Sequence, residues 1–167
     1  ARELRSLTRE KGGEGVTQTA RLCNEAGGAL ALGPPLPKTA LSGAAWWLWP
    51  RKAVIQLSAR QKSDDQLWFS FFHEAAHILL HSKKSVFVDE ANGDYADLEA
   101  EANNWAANAL VPRSAWERFI EGAPCSERAV LAFAEEQRIS PGIIVGMLQH
   151  QGILPWAHLN GLKVRLT

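Results

Sequence analysis

Residues 71 to 81 read FFHEAAHILLH, an apolar run into which three histidines and one glutamate are set. Imidazole nitrogens hold divalent metals and a carboxylate moves protons, so these residue types do chemistry together. His73 and His77 stand four apart, which on a helix places them on one face, one turn from each other. Two ring nitrogens so placed can share one zinc ion at the usual bonding distance of about 2.0–2.1 Å. Glu74 follows the first histidine directly, where it can reach a metal-bound water without being a ligand. Together they spell His-Glu-x-x-His, the zinc metallopeptidase pattern in which the glutamate is the general base. A lone buried histidine is ordinarily a satisfied core residue, but that explanation does not cover three at this spacing beside a carboxylate.

His81 does not extend the ligand row. It lies eight residues beyond His73, about 12 Å along an unbroken helix, so one ion cannot bond both. Proteases that take a third histidine from downstream first break the helix with glycine, and none stands between His77 and His81. His81 is read as a helix-end residue or as a group supporting a ligand from outside.

The third ligand is expected from DLEAEANNWAANALVP, which offers Glu99 and Glu101. On a helical wheel Leu98, Ala102, Trp105, Ala106, Ala109 and Leu110 form the apolar face. Glu99 flanks that face, while Glu101 points about 160° away from Glu99, so both cannot address one ion. Glu99 is the expected ligand, with a solvated flank position as the plain alternative. Asn103, one turn on, can hold a ligating histidine by its second ring nitrogen.

These groups need two helices to carry them. Ser63 and Gln66 form a capping-box pattern at the start of the first, with Asp64 and Asp65 where the helix dipole favours negative charge. Trp68, Phe72, Ala75 and Leu79 mark its buried stripe. It is expected to end near Ser82, followed by Lys83 and Lys84. The second runs from about Tyr95 to Leu110, with Asp94 as N-cap and Pro112 just beyond. Upstream, residues 1 to 10 read as helix, KGGEG as a linker, and Thr17 to Ala26 as a helix closed by Gly27 and Gly28. ALAL at 29 to 32 reads as a strand, and AWWLW and AVIQLS as a hairpin around Pro50. Val54, Gln56 and Ser58 alternate with Ile55 and Leu57, as in a half-buried strand. Further helices are expected at about 114–121, 126–138 and 141–150, the last opened by Ser140 and Pro141. The fold class is therefore α+β: a small sheet of about three strands, then a mostly helical body. The domain reading is an N-terminal helix and linker remnant at 1–15 and one domain at 16–167.

The chain has 167 residues, with 18 basic and 18 acidic side chains. That balance argues against a surface that grips nucleic acid or anionic membrane. No apolar run approaches the roughly 20 residues that span a bilayer, and with no basic-apolar-small pattern to mark the chain, export is not expected. Cys23 and Cys125 fit neither a disulfide framework nor a thiolate metal knuckle, so a cytoplasmic protein is expected. AVLAFAEEQRISPGIIVGMLQHQG has the rhythm of a helix-turn-helix, but its second helix carries no lysine or arginine to meet phosphate or guanine. Packing of a helical subdomain is the better reading. Seven tryptophans at zero net charge are read as core and groove filling. His150 and His158 are assigned no function. The chain opens on Ala1 and reads as a piece of a longer one.

HEAAHILLH, an acidic interval and EAEANNWAANALVP together resemble the ImmA/IrrE family of zinc metallopeptidases. The likeness is closest to the version fused behind a helix-turn-helix domain in HigA-type antitoxins. LPKTALSGAAWWL, AVIQLS, WFSFFHEAAHILLHSKK, ISPGIIVGMLQ and LPWAHLNGLKVR share in it, so it covers most of residues 17 to 165. Trp105 stands where that family often has phenylalanine or tyrosine. The resemblance implies a zincin-like, gluzincin-type site with His73, His77 and Glu99 on Zn2+ and Glu74 as catalytic base. It implies a protein substrate, a helix-turn-helix repressor or antitoxin cleaved in a stress or toxin-antitoxin response, and a DNA-binding domain lying outside this chain. The alternative is a non-proteolytic metal-binding sensor or toxin-contacting module. Direct nucleic-acid or membrane binding by this chain is not expected. The sheet edge is a place for substrate to add as an extended strand. Nitrogen and oxygen ligands also suit manganese or cobalt.

Overall fold

A computed structural model describes residues 2–10, 13–34, 42–58, 63–81, 94–122 and 126–165. Lys11 and Gly12 of the expected KGGEG linker, the lysines at 83 and 84, the acidic interval after the first histidine helix, and Cys125 lie outside these residues, whereas Glu14 and Gly15 of that linker already belong to a helix. The fold is α+β, with seven helices and one three-stranded sheet among the described residues.

Three short β-rich segments make the sheet: β1 (Gly28–Gly33), β2 (Gly43–Trp49) and β3 (Lys52–Ser58). β2 and β3 form the expected antiparallel hairpin, with Trp46 opposite Val54 and a register shift between Trp47 and Trp49. β1 joins the other side of β3 in parallel, from Gly28 beside Ala53 to Gly33 beside Ser58. The order β1-β3-β2 makes β3 central, which buries Ile55 and Leu57, and leaves β2 an outer edge. Ser58 departs from the expected alternation. It is buried, and its amide donates to the Ser42 carbonyl.

Before the sheet come α1 (Arg2–Leu7) and α2 (Glu14–Glu25), and Gly27 after α2 takes φ of 83°, which a side chain would resist. α1 is fixed to the body. Leu7 is in the core, Arg5 donates to the Gln137 carbonyl at 2.8 Å, and the Ser140 amide donates to Thr8 Oγ1 at 3.0 Å.

α3 (Asp64–Leu80) carries the histidine motif through the centre of the molecule, packed against α4 (Asp94–Leu110), a later helix at Pro141–His150 and strands β2 and β3. Leu67, Trp68, Phe71 and Phe72 are buried on it, each worth roughly 1.5–3 kcal/mol of apolar transfer. The expected stripe fails at its end, because Leu79 is 65% exposed. Ala76, His77 and His81 take the buried side of the last turn instead. The capping box is also not made: Ser63 stands at the N-cap without a side-chain cap bond. Its backbone bridges to Arg165, and the Asp64 amide donates to the Val164 carbonyl at 2.9 Å, so a returning C-terminal segment satisfies this helix start.

On α4, Ala102, Ala106 and Leu110 are fully buried and Leu98, Trp105 and Ala109 partly so, matching the wheel. Asp94 begins this helix rather than preceding it. α5 (Arg113–Glu121), α6 (Glu127–Gln137) and α7 (Pro141–His150) complete the body. Ser126 caps α6 through its side chain, whereas Ser140, before α7, gives its hydroxyl to Asp64. α7 buries Ile143, Ile144, Val145 and Leu148, so the segment with helix-turn-helix rhythm is a core helix pair. No described helix is long and apolar enough to cross a membrane.

Candidate metal centre

Four-residue spacing on α3 stacks His73 over His77, and α4 lies alongside to supply a carboxylate. The Nε2 atoms of the two histidines are 3.0 Å apart. Glu99 completes the group, with Oε2 3.3 Å from His73 Nε2 and Oε1 3.2 Å from His77 Nε2. One ligand atom from each of the three falls within 4.8 Å of the others, a group that could hold a metal ion. Atoms bonded at about 2.0–2.1 Å to one tetrahedral ion lie about 3.3–3.4 Å apart, so the spacing and the nitrogen and oxygen donors fit a zinc-sized cation. His73 is also held from outside, its Nδ1 2.9 Å from Asn103 Oδ1. That is the role the sequence suggested for Asn103.

Electrostatics favour the ligand form of His77. Burial first, and the neighbouring His73 and His81 rings next, push its pKa well below the ordinary value, against the pull of Glu99. The ring is therefore neutral near pH 7, with a lone pair to give. Glu74 shows the converse. Burial, followed by the Glu99 carboxylate, raises its pKa to about 7. A carboxyl held near neutrality is suited to taking and returning a proton. A cation at the adjacent ligands would favour its ionised form and lower that value.

Glu74 is positioned by a feature that sequence reading missed. A Cβ on Gly43, at the start of β2, would lie 2.8 Å from Glu74 Cγ and 2.9 Å from Oε1. Glycine lets the strand backbone approach the carboxylate. Nothing in the local sequence distinguishes it from an ordinary loop glycine, because the reason for it lies 31 residues away on another element.

The other polar candidates separate cleanly. Glu101 is outside the ligand group, its side chain 59% exposed, with Oε2 3.3 Å from His81 Nε2. His81 is the C-cap of α3, and its Nδ1 stands 2.9 Å from His77 Nδ1. A cleft of about 570 Å³ opens beside His73, lined among others by Ser42, Phe69, Asn103, Met147 and Trp156. Phe69 stacks on the His73 ring at 6.4 Å between centroids. His150 also lines this cleft, whereas His158 offers its backbone carbonyl to Gln149.

No curated protein matches the chain in sequence. A family model does: Peptidase_M78, the IrrE N-terminal-like domain, matches residues 34–148. That stretch runs from the end of β1 almost to the end of α7 and contains His73, Glu74, His77, Glu99, Asn103 and Gly43. With more than half of its length matched, and with a histidine-histidine-glutamate group at its centre, the chain belongs to the Peptidase_M78 family.

Proposed function

We propose that the protein is a zinc-dependent endopeptidase, with His73, His77 and Glu99 as ligands and Glu74 as general base. The convergence of those three ligand groups beside a buried carboxylate of raised pKa carries the reading. A divalent ion held there supplies Lewis acidity to a water molecule and to the scissile carbonyl. Glu74 takes the proton of the attacking water on a carboxylate oxygen and returns it to the leaving amine. Gly43 sets the opening of β2 against Glu74, so an extended substrate segment added to the outer edge of β2 would run past the base. The substrate we infer is a helix-turn-helix repressor or antitoxin cut in an exposed extended segment, in a stress or toxin-antitoxin response in the cytoplasm. The DNA-binding domain of such a system lies outside this chain. The burial of α7 and the zero net charge support the absence of direct nucleic-acid contact.

The test is cleavage of candidate repressors by zinc-loaded protein, with and without chelator, beside Glu74→Gln. Cleavage that needs both zinc and Glu74 is expected. Fully loaded protein that cuts none of the repressors, while Glu74→Gln regulates as wild type does, would establish a binding module instead.

A further inference from the structure

The backbone amide of His81 closes the last turn of α3 on the His77 carbonyl at 3.3 Å, a task any residue type performs. Its side chain needs a separate explanation. The imidazole is 3% exposed and meets a ring nitrogen at one end and a carboxylate at the other. A neutral imidazole carries one N–H and one lone pair. Glu101 offers only acceptor oxygens, so at 3.3 Å the His81 proton belongs on Nε2. His81 Nδ1 is then a lone pair, and its 2.9 Å approach to His77 Nδ1 requires the proton to sit on the His77 atom. His77 Nε2 is then the lone pair facing His73 Nε2, and the proton must be held on Nδ1 against Glu99 Oε1, a competing acceptor 3.2 Å from Nε2.

We propose that Glu101 and His81 form a hydrogen-bonded relay that locks His77 in the tautomer able to ligate metal, making His81 a positioning residue for the site. The relay rests on the metal-site reading above. It does for His77 in two steps what Asn103 does for His73 in one. A ligating histidine held through its second nitrogen is fixed in both ring orientation and proton position, and losing such a partner typically weakens metal binding about 10–100-fold.

The test compares His81→Asn with His81→Leu. The two side chains have the same number of heavy atoms, branched at the same carbon. The Asn Oδ1 stands where the His Nδ1 stood and can accept the His77 proton, whereas leucine cannot. Zinc affinity by chelator competition is expected to fall about 10–100-fold in the leucine variant and to stay within about threefold of wild type in the asparagine variant. In metal-free protein, nitrogen-15 shifts of the His77 ring should report the Nδ1–H form in wild type and His81→Asn, and a mixture in His81→Leu. Glu101→Ala should weaken zinc severalfold on its own and add nothing on the His81→Leu background, since both act through one path. Leucine binding as tightly as wild type, asparagine as weak as leucine, or additive losses would each overturn the relay. If His81→Leu does not fold, the tautomer of metal-free wild type decides, and an Nε2–H form of His77 there sinks the proposal. Wild-type protein that binds no zinc would overturn the proposed function, while the metal-free tautomer would still test the relay.

Discussion

Both ends of α3 bury carboxylates, and they are treated in opposite ways. At the amino-terminal end, Asp64 accepts from the Ser140 hydroxyl and from the Val164 amide at 2.9 Å. Asp65 pairs with Lys163 Nζ at 2.7 Å, and that ammonium also donates to Gln149 Oε1 at 2.8 Å. The protein supplies its own cation and donors. More than two turns further along α3, Glu74 lies beside the imidazoles and Glu99 of α4, and no Lys or Arg pairs with either carboxylate among the described residues. Buried acids that the chain itself neutralises are structural. Buried acids that converge with further acceptors mark a place made for an external cation.

The largest expected effect breaks the structural end. Lys163→Met leaves Asp65 buried without its counter-charge, when Asp65 Oδ1 already has no hydrogen-bond partner. Unfolding free energy should fall by about 3 kcal/mol, while zinc affinity per folded molecule stays near wild type. A loss of zinc binding in folded Lys163→Met would blur the distinction between the two ends.

The functional end should respond the other way. Glu99→Ala removes a ligand and should weaken zinc about 100-fold or more, beyond the range of outer-shell changes. Metal-free stability should hold or rise, since one of two neighbouring carboxylates is gone. Glu101→Ala should cost far less. If Glu101→Ala sheds the metal while Glu99→Ala keeps it, the ligand assignment is wrong.

Much of this contrast was legible in the sequence, because helix periodicity is local. His73, His77 and the choice of Glu99 over Glu101 follow from angles along one helix. The hairpin follows from two β-rich runs around Pro50. What escaped depends on partners distant in sequence. The Ser63 capping box is a sound local signal, but the returning Val164 and Arg165 satisfy that helix start instead. Leu79 fits the stripe and is exposed, because periodicity says which face a residue occupies and not how far the neighbouring element extends. The parallel pairing of β1 with β3 and the approach of Gly43 to Glu74 have no sequence-local cause at all.

Gly43 sharpens the comparison at the level of a single carboxylate. Gly43→Ala should move Glu74 by a few tenths of an ångström to an ångström, since the strand backbone beside it is also held by pairing to Leu57. Such displacements of a reacting group cost about 10–100-fold in turnover. Zinc content should be unchanged, because none of the three ligands lies within that clash. Full activity in Gly43→Ala would remove β2 from the catalytic geometry.

The functional end should also leave a pH signature in metal-free protein. Glu74 has its folded pKa raised from 4.5 to about 7. The folded state therefore keeps a proton that the unfolded chain has already released. Below about pH 4.5 both states are protonated and Glu74 costs nothing. Between about pH 4.5 and about pH 7 a penalty accrues, and above that range it is complete, on the order of 3 kcal/mol. Glutamine cannot ionise, so Glu74→Gln should match wild type at pH 4.5 and exceed it in stability at pH 8. His77 has the opposite sign: its lowered pKa costs stability as pH falls below its ordinary value near 6.5, but it does so in both proteins and cancels in their difference. Chemical unfolding of both proteins with chelator at several pH values measures the gap. Saturating zinc should shrink it, because a cation beside Glu74 favours its ionised form. A gap that is flat with pH in the metal-free proteins would mean that Glu74 ionises freely and that burial does not tune the base.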